Sequence, residues 1–262
     1  MEQPDIITLK KGEQLVRIEK GELVGYEHQG HEFIHQKGSP GWRSADTEMF
    51  PIIGPTNEAG FQVQVPRGSA LLDQHGHLRE LAYECTEQST TKAVFKKAYQ
   101  AGTPIKNSKY PEKSNRQWLV WSYSFVFEKH FELQDGALSI DFVVDGERDM
   151  PFMLGYHPAF RLITEKPVVQ VGDRRIELEE VLAVGSRALE VADREEVLLH
   201  DERTLAIRTE GFGHFMLWTE VPNMICVEPI SFYPYAVKQA KLHEGFQYLQ
   251  GISKFRTLLA PV

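Results

Sequence analysis

Four short stretches of the sequence carry residues able to move protons or grip a polar ligand. The tightest is Gly155-Tyr156-His157-Pro158-Ala159-Phe160. Pro158 fixes its own φ and biases His157 towards an extended backbone. Gly155 permits a turn or a close approach to a ligand, and Tyr156 and Phe160 are expected to flank the imidazole. An imidazole titrates at a pKa of about 6.5, so it can give or take a proton near neutrality. The same residues also read as a structural histidine at a strand end. The second stretch is Met224-Ile225-Cys226-Val227-Glu228-Pro229, together with Phe215-Met216-Leu217-Trp218. A buried carboxylate without a partner is costly, so Glu228 must leave the core, pair, or face a site. Pro229 is expected to cut the strand directly after it. A strand-end Glu228 beside Trp218, Phe232 and Tyr233 is placed as a general base would be, and an exposed strand-end glutamate is the plainer alternative.

The third stretch is Asp73-Gln74-His75-Gly76-His77-Leu78-Arg79-Glu80. It reads either as a loop presenting His75 and Arg79 as hydrogen-bond donors to a polar ligand, or as a solvated turn. Histidines two apart share a face in a strand, which raises a metal-site alternative of His75 and His77 with Glu80. Gly76 argues for a bulge or turn that separates the two imidazoles. The fourth stretch, Phe50-Pro51-Ile52-Ile53-Gly54-Pro55-Thr56-Asn57, is a rigid irregular loop in which Asn57 caps a turn or faces a ligand. His28, His31 and His35, interrupted by Gly30, read as a polar hairpin.

The elements that must position these residues are short alternating runs. Residues 14–19 and 22–26 form a hairpin pattern, and 61–65 alternates until Pro66. A long aromatic and β-branched run covers 118–127, and a turn at 134–136 leads into 137–144. Further strands are expected at 204–208, 215–218, 224–228 and between 246 and 259. Helical period is confined to 178–184 and 235–244. There is no phosphate-binding glycine loop and no βαβ alternation. Many short strands at hairpin spacing predict an all-β fold, a large antiparallel β-sandwich, and 1–262 reads as one domain. Residues 102–115, rich in Pro, Lys, Asn and Ser, read as a long surface loop.

The chain has 262 residues, 42 % hydrophobic and 25 % charged, which permits a sizeable core. A formal net charge of −8 without a long basic run argues against nucleic acid and anionic membranes as partners. No apolar run approaches a membrane span, and Met1 to Gly12 lacks a signal-type apolar core. Cys85 and Cys226 have no metal-ligand spacing between them and sit in apolar runs, so buried thiols and a cytoplasmic location are expected.

The ordered set of Phe50-Pro51-x-x-Gly54, His75-Gly76-x-x-Arg79, Gly155-x-His157-Pro158-x-Phe160 and Cys226-x-Glu228-Pro229 resembles the aldose 1-epimerase (galactose mutarotase-like) family. The nearest branch is the shorter bacterial one associated with lactose operons, and the resemblance runs from about residue 15 to the C-terminus. It implies a galactose mutarotase-like supersandwich, His157 as general acid and Glu228 as general base. It makes His75 and Arg79 sugar-binding residues, with His75 assisting at the ring oxygen. Three positions depart from the family pattern: His77 stands where Phe is usual, Arg161 where many relatives have Asn, and Pro55 where many have Arg. Asp193 and Asp201 lie in the interval of the family's substrate aspartate, and the sequence selects neither.

The implied reaction opens a cyclic hexose to its aldehyde, rotates the C1–C2 bond and recloses the ring. It needs a proton delivered to the ring oxygen and one removed from the C1 hydroxyl, by an acid and a base expected on opposite sides of C1. It uses no metal and no cofactor. Trp121, Trp218 and Phe160 can cover a pyranose or pack the core. The expected partner is a small-molecule sugar, and the chain a monomer or homodimer. Competing readings are a non-catalytic carbohydrate-binding protein, a hexose-6-phosphate mutarotase with Arg79 and Arg161 on the phosphate, and a metal-dependent β enzyme using His75 and His77.

Overall fold

A computed structural model of the chain describes residues 6–262. The opening stretch read above for a signal-type core lies partly outside the described residues. The architecture is all-β, as the alternating runs predict: two large antiparallel sheets share one apolar core. The larger has nine strands, ordered Arg174–Glu177, Val168–Val171, Glu196–His200, Thr204–Glu210, Ser253–Pro261, Ala137–Gly146, Phe125–Gln134, Lys92–Tyr99 and Glu84–Gln88. Its centre is the hairpin of Phe125–Gln134 with Ala137–Gly146, in unbroken register from Gln134 opposite Ala137 to Phe125 opposite Gly146. Gly136 turns the tip at φ +74°, where an L side chain would be strained.

Phe125, Phe127, Phe131 and Leu133 alternate inward and are buried, the period-two pattern of a strand with one core face. Lys129 interrupts that series. It is fully buried and pairs with Asp46 at 2.6 Å and Glu48 at 2.7 Å. Asp46 also accepts from the Tyr156 hydroxyl at 2.7 Å and the Leu23 N–H at 3.1 Å. Glu48 and Tyr156 belong to the second sheet, so this charged cluster joins the two sheets directly behind His157.

The second sheet runs Leu189–Val191, His214–Trp218, Met224–Ile230, Gly155–Tyr156 and Glu48–Met49, with Ala159–Arg161 also paired to Met224–Ile230. A separate four-stranded meander contains the expected hairpin of Gln14–Glu19 with Glu22–His28. The helix expected over 178–184 is Leu178–Val184, opened by Glu180 accepting from the Glu177 N–H. The segment 235–244 forms two tight 3-10 stretches, Pro234–Ala236 and Gln239–Gly245, instead of an α-helix. No helix among the described residues is long and apolar enough to cross a membrane.

Three expectations need correction. The run 118–127 is not one strand: Trp118–Leu119 ends, and pairing resumes at Phe125. Between them, the backbone is claimed by other groups. Trp121 N–H donates to the Tyr99 hydroxyl at 3.0 Å, and Ser124 N–H to Glu147 Oε1 at 2.6 Å. Pro229 does not cut its strand, which continues to Ile230 with Pro229 opposite Phe215. Cys226 is buried, but Cys85 is only half-buried, because Glu84–Gln88 is an edge strand.

Candidate active site

The strand Met224–Ile230 faces an interrupted partner. Gly155 pairs with Ile230 and Ala159 with Cys226, both in one register. Carried across the gap, that register sets His157 opposite Glu228. The ladder is open there because Pro158 and Pro229 bring no N–H, and His157 turns its backbone to the other side. Its N–H donates to Thr47 at 2.8 Å, and its carbonyl accepts from the Thr47 N–H at 3.2 Å. Opposed residues on neighbouring strands share one face, and His157 Nε2 lies 3.5 Å from Glu228 Oε1. Both side chains are buried, at 9 % and 2 % exposure.

The pair forms the floor of a cavity of about 380 Å³, at the lower end of the range of small-molecule pockets. Trp42 lies over the imidazole at 4.3 Å between ring centroids, and Trp218 stands edge-on at 5.9 Å. The aromatic surface around His157 therefore comes from these two tryptophans. Tyr156 and Phe160 do not supply it: alternation turns Tyr156 to Asp46, and Phe160 is core, as is Trp121. Ile53 and Gly54 of the Phe50–Asn57 loop line the wall. A Cβ at Gly54 would lie 2.3 Å from Pro234 Cβ, so that wall needs glycine. Asn57 sits apart from the cavity, exposed at the start of a single 3-10 turn.

His75 and Arg79 both reach the cavity, and His77 does not. His75 and Gly76 have φ of +73° and +68°, which turns consecutive side chains to different surroundings. His77 is fully buried between Tyr99 and Phe125, at 4.4 and 5.7 Å, with no partner for either ring nitrogen among the described residues. This removes the His75–His77–Glu80 metal grouping. His75 is also not the donor expected. Its Nδ1 lies 2.7 Å from the Ile53 carbonyl and must donate there, leaving Nε2 an acceptor. Burial, then the Arg79 charge, holds this imidazole well below its usual pKa, so it stays neutral.

Burial dominates the electrostatics of the pair as well. It pushes the Glu228 carboxyl well above the usual carboxylate range. Burial, then Arg79, lowers His157 to about 3. Burial disfavours charge on both groups, and a proton passed between them is held better by Glu228 than by His157. Among the described residues the one grouping of three metal-type donors is His157, Cys226 and Glu228, within 4.8 Å of one another. Burial and the neighbouring Glu228 raise the Cys226 thiol well above its usual pKa, and a thiol is a poor metal ligand until deprotonated.

No family model and no curated protein matches the sequence. Solved structures do match over nearly the whole chain. A galactose mutarotase-like protein from Lactobacillus casei ATCC 334 superposes with a TM-score of 0.78 at 16 % identity, covering 98 % of this chain and 100 % of that one. A galactose mutarotase related enzyme from Lactobacillus acidophilus gives 0.73 at 17 %, covering 98 % and 97 %. An aldose epimerase homologue from C. elegans gives 0.65 at 9 %, covering 98 % of each chain. The fold is galactose mutarotase-like.

Within this galactose mutarotase-like fold, the departures noted in the sequence sort themselves. His77 occupies an aromatic core position, where a phenylalanine would do equally well. Arg161 is exposed and its N–H bonds the Phe33 carbonyl at 2.9 Å, outside the cavity wall. Asp201 accepts from the backbone N–H groups of Ile163 and Thr164, a loop-bracing role. Asp193 is 91 % exposed and elsewhere. Trp42, Lys109 and Lys113 line the cavity without having been singled out. Trp42 did carry a signal: it is the lone large aromatic in the polar run Ser39-Pro40-Gly41-Trp42-Arg43-Ser44.

Proposed function

We propose that the chain is an aldose 1-epimerase of the shorter bacterial branch associated with lactose operons, acting on a hexose in the cytoplasm. The observation that carries this is the His157–Glu228 pair, 3.5 Å apart on the floor of a tryptophan-walled cavity. The expectation of an acid and a base on opposite sides of C1 gives way to two neighbouring groups on one face. That geometry still suffices, because the ring oxygen and the anomeric hydroxyl are both bonded to C1. A pyranose seated with C1 against the pair puts one oxygen at each group. Sugar hydroxyls bonding to Glu228 favour its ionised form, which passes the proton to His157. His157 then donates to the ring oxygen while Glu228 takes the proton of the C1 hydroxyl. The C1–O5 bond breaks, the aldehyde forms, and C1–C2 rotation followed by the reverse transfers yields the other anomer.

Trp42 and Trp218 cover the apolar face of the ring. His75 accepts from a sugar hydroxyl and Arg79 donates to one. Proton transfer is the whole of the chemistry, with no electron transfer to be carried. The test is anomeric exchange by NMR saturation transfer on a panel of hexoses, with wild type and Glu228→Gln. Rapid exchange that disappears in the variant is expected. Sugar binding without exchange by folded wild-type protein would replace this reading with a carbohydrate-binding one.

A further inference from the structure

The cavity that holds His157 and Glu228 also takes in three cations that proton transfer at C1 does not require: Arg79, Lys109 and Lys113. Arg79 makes no hydrogen bond or ion pair with any described residue, so its five N–H donors are unspent. Lys109 and Lys113 stand four apart on one turn. The N–H of Lys113 donates to the Lys109 carbonyl at 2.8 Å, a spacing that brings the two side chains to one side. The turn is built rather than loose. Asn107, 1 % exposed, donates to Asp73 Oδ2 at 3.0 Å and to the Arg116 carbonyl at 2.9 Å. Its own Oδ1 accepts from the Lys109 N–H at 3.1 Å.

Lys109 then reaches over the His75 loop, donating to Asp73 Oδ1 at 3.0 Å and the Gln74 carbonyl at 3.1 Å. Asp73 is thereby answered, while among the described residues neither Arg79 nor the exposed Lys113 has a carboxylate within ion-pair distance, and Glu80, Glu48 and Asp73 act on Arg79 only through space. On the opposite account, the cavity lining holds two carboxylates, the exposed Glu220 and Glu228, and Glu228 is buried beside His157, where burial disfavours its charge. Arg161, the other arginine considered for an anion, is outside this wall.

We propose that Arg79, Lys109 and Lys113 form a subsite for an anionic substituent, so that the sugar carries a phosphate or a carboxylate away from its anomeric carbon. The proposal rests on the epimerase reading for the placing of the anomeric carbon at His157 and Glu228. A guanidinium and two ammonium groups suit either anion through charge-assisted hydrogen bonds. A neutral hexose can offer Arg79 a hydroxyl acceptor but no charge, and it leaves Lys113 without a counter-ion.

The test compares anomeric exchange of a hexose, its 6-phosphate and its uronic acid, in wild type and Lys113→Gln. Lys113 is exposed and held only through its backbone, so the variant keeps the fold. The expected result is a kcat/KM for at least one anionic sugar about tenfold or more above the neutral one. That ratio should fall towards unity in Lys113→Gln and shrink at high salt, mainly through KM. The better of the two anions identifies the source of the charge. Equal turnover of neutral and anionic sugars overturns the subsite, as does a preference unchanged in Lys113→Gln. Absence of exchange for every sugar would fell the epimerase reading alone. The subsite is then decided by calorimetric titration with inorganic phosphate: binding lost in Lys113→Gln supports it, and no binding to wild type removes it.

Discussion

His157 and Glu228 differ in type but lie 3.5 Å apart, and burial weighs on the charged form of each. Burial raises Glu228 and lowers His157 to about 3, so in the proposed reaction a bound sugar must favour the ionised carboxylate before the ring can open. His157→Asn and Glu228→Gln are each expected to lower exchange by about a hundred- to ten-thousand-fold, the usual worth of a catalytic proton transfer. Unchanged circular dichroism would confirm that both variants fold, and wild-type-like exchange in either would remove that residue from the mechanism. These two residues were legible in the sequence because each is followed by a proline, and the two prolines together open the ladder where the side chains meet. The state of His75 was not legible. Its N–H is spent on Ile53, a contact made only once two loops distant in sequence have packed together.

At the scale of elements, the site depends on how loops cross. The Phe50–Asn57 and Asp73–Glu80 loops meet at Gly76, where a Cβ would lie 2.1 Å from the Phe50 carbonyl oxygen. Gly76 also has φ +68°. Gly76→Ala is therefore expected to cost at least about 1–3 kcal/mol in urea unfolding and to pull His75 from the cavity wall. Wild-type stability in that variant would mean the crossing is looser than described. Sequence pattern located most strands here, because period-two burial is a local property. It missed the break at 120–124, where the side chains of Tyr99 and Glu147, both distant in sequence, claim backbone groups. It read residues 102–115 as a surface loop, where the structure has the short strand Ile105–Lys106 and the buried Asn107 and Ser114 among turns, and the placing of Lys109 and Lys113 follows from Asn107 and Asp73 meeting across 34 positions of sequence.

Across the whole molecule, the balance of buried titratable groups sets the response to acid. Burial holds His77 and His157 at about 3 and His75 well below its usual value. The unfolded chain protonates all three near pH 6.5. Their contribution to stability is complete above that pH and is lost as the pH falls towards 3. Burial raises Glu228, and Asp46 to about 6, so these two favour the fold at low pH and oppose the histidines until the unfolded carboxyls also protonate near pH 4. Acid unfolding should thus be gentle at first and steep below about pH 4. His77→Phe isolates one group. The stability of wild type relative to the variant should fall by about 1.4 kcal/mol per pH unit below pH 6.5, in urea titrations at several pH values. Parallel curves would mean that His77 protonates in the fold. Removing Lys129 tests the joint between the sheets. Lys129→Met strands Asp46 and Glu48 in the core and is expected to cost about 3–5 kcal/mol. The same joint has a thermal consequence. Hydration of charged groups becomes less favourable on heating, so the penalty for keeping Lys129, Asp46 and Glu48 dry declines as the temperature rises. The backing of His157 is then fastened by the part of the molecule whose grip loosens least on warming, and heat should reach the loops around the cavity before it reaches the floor beneath it.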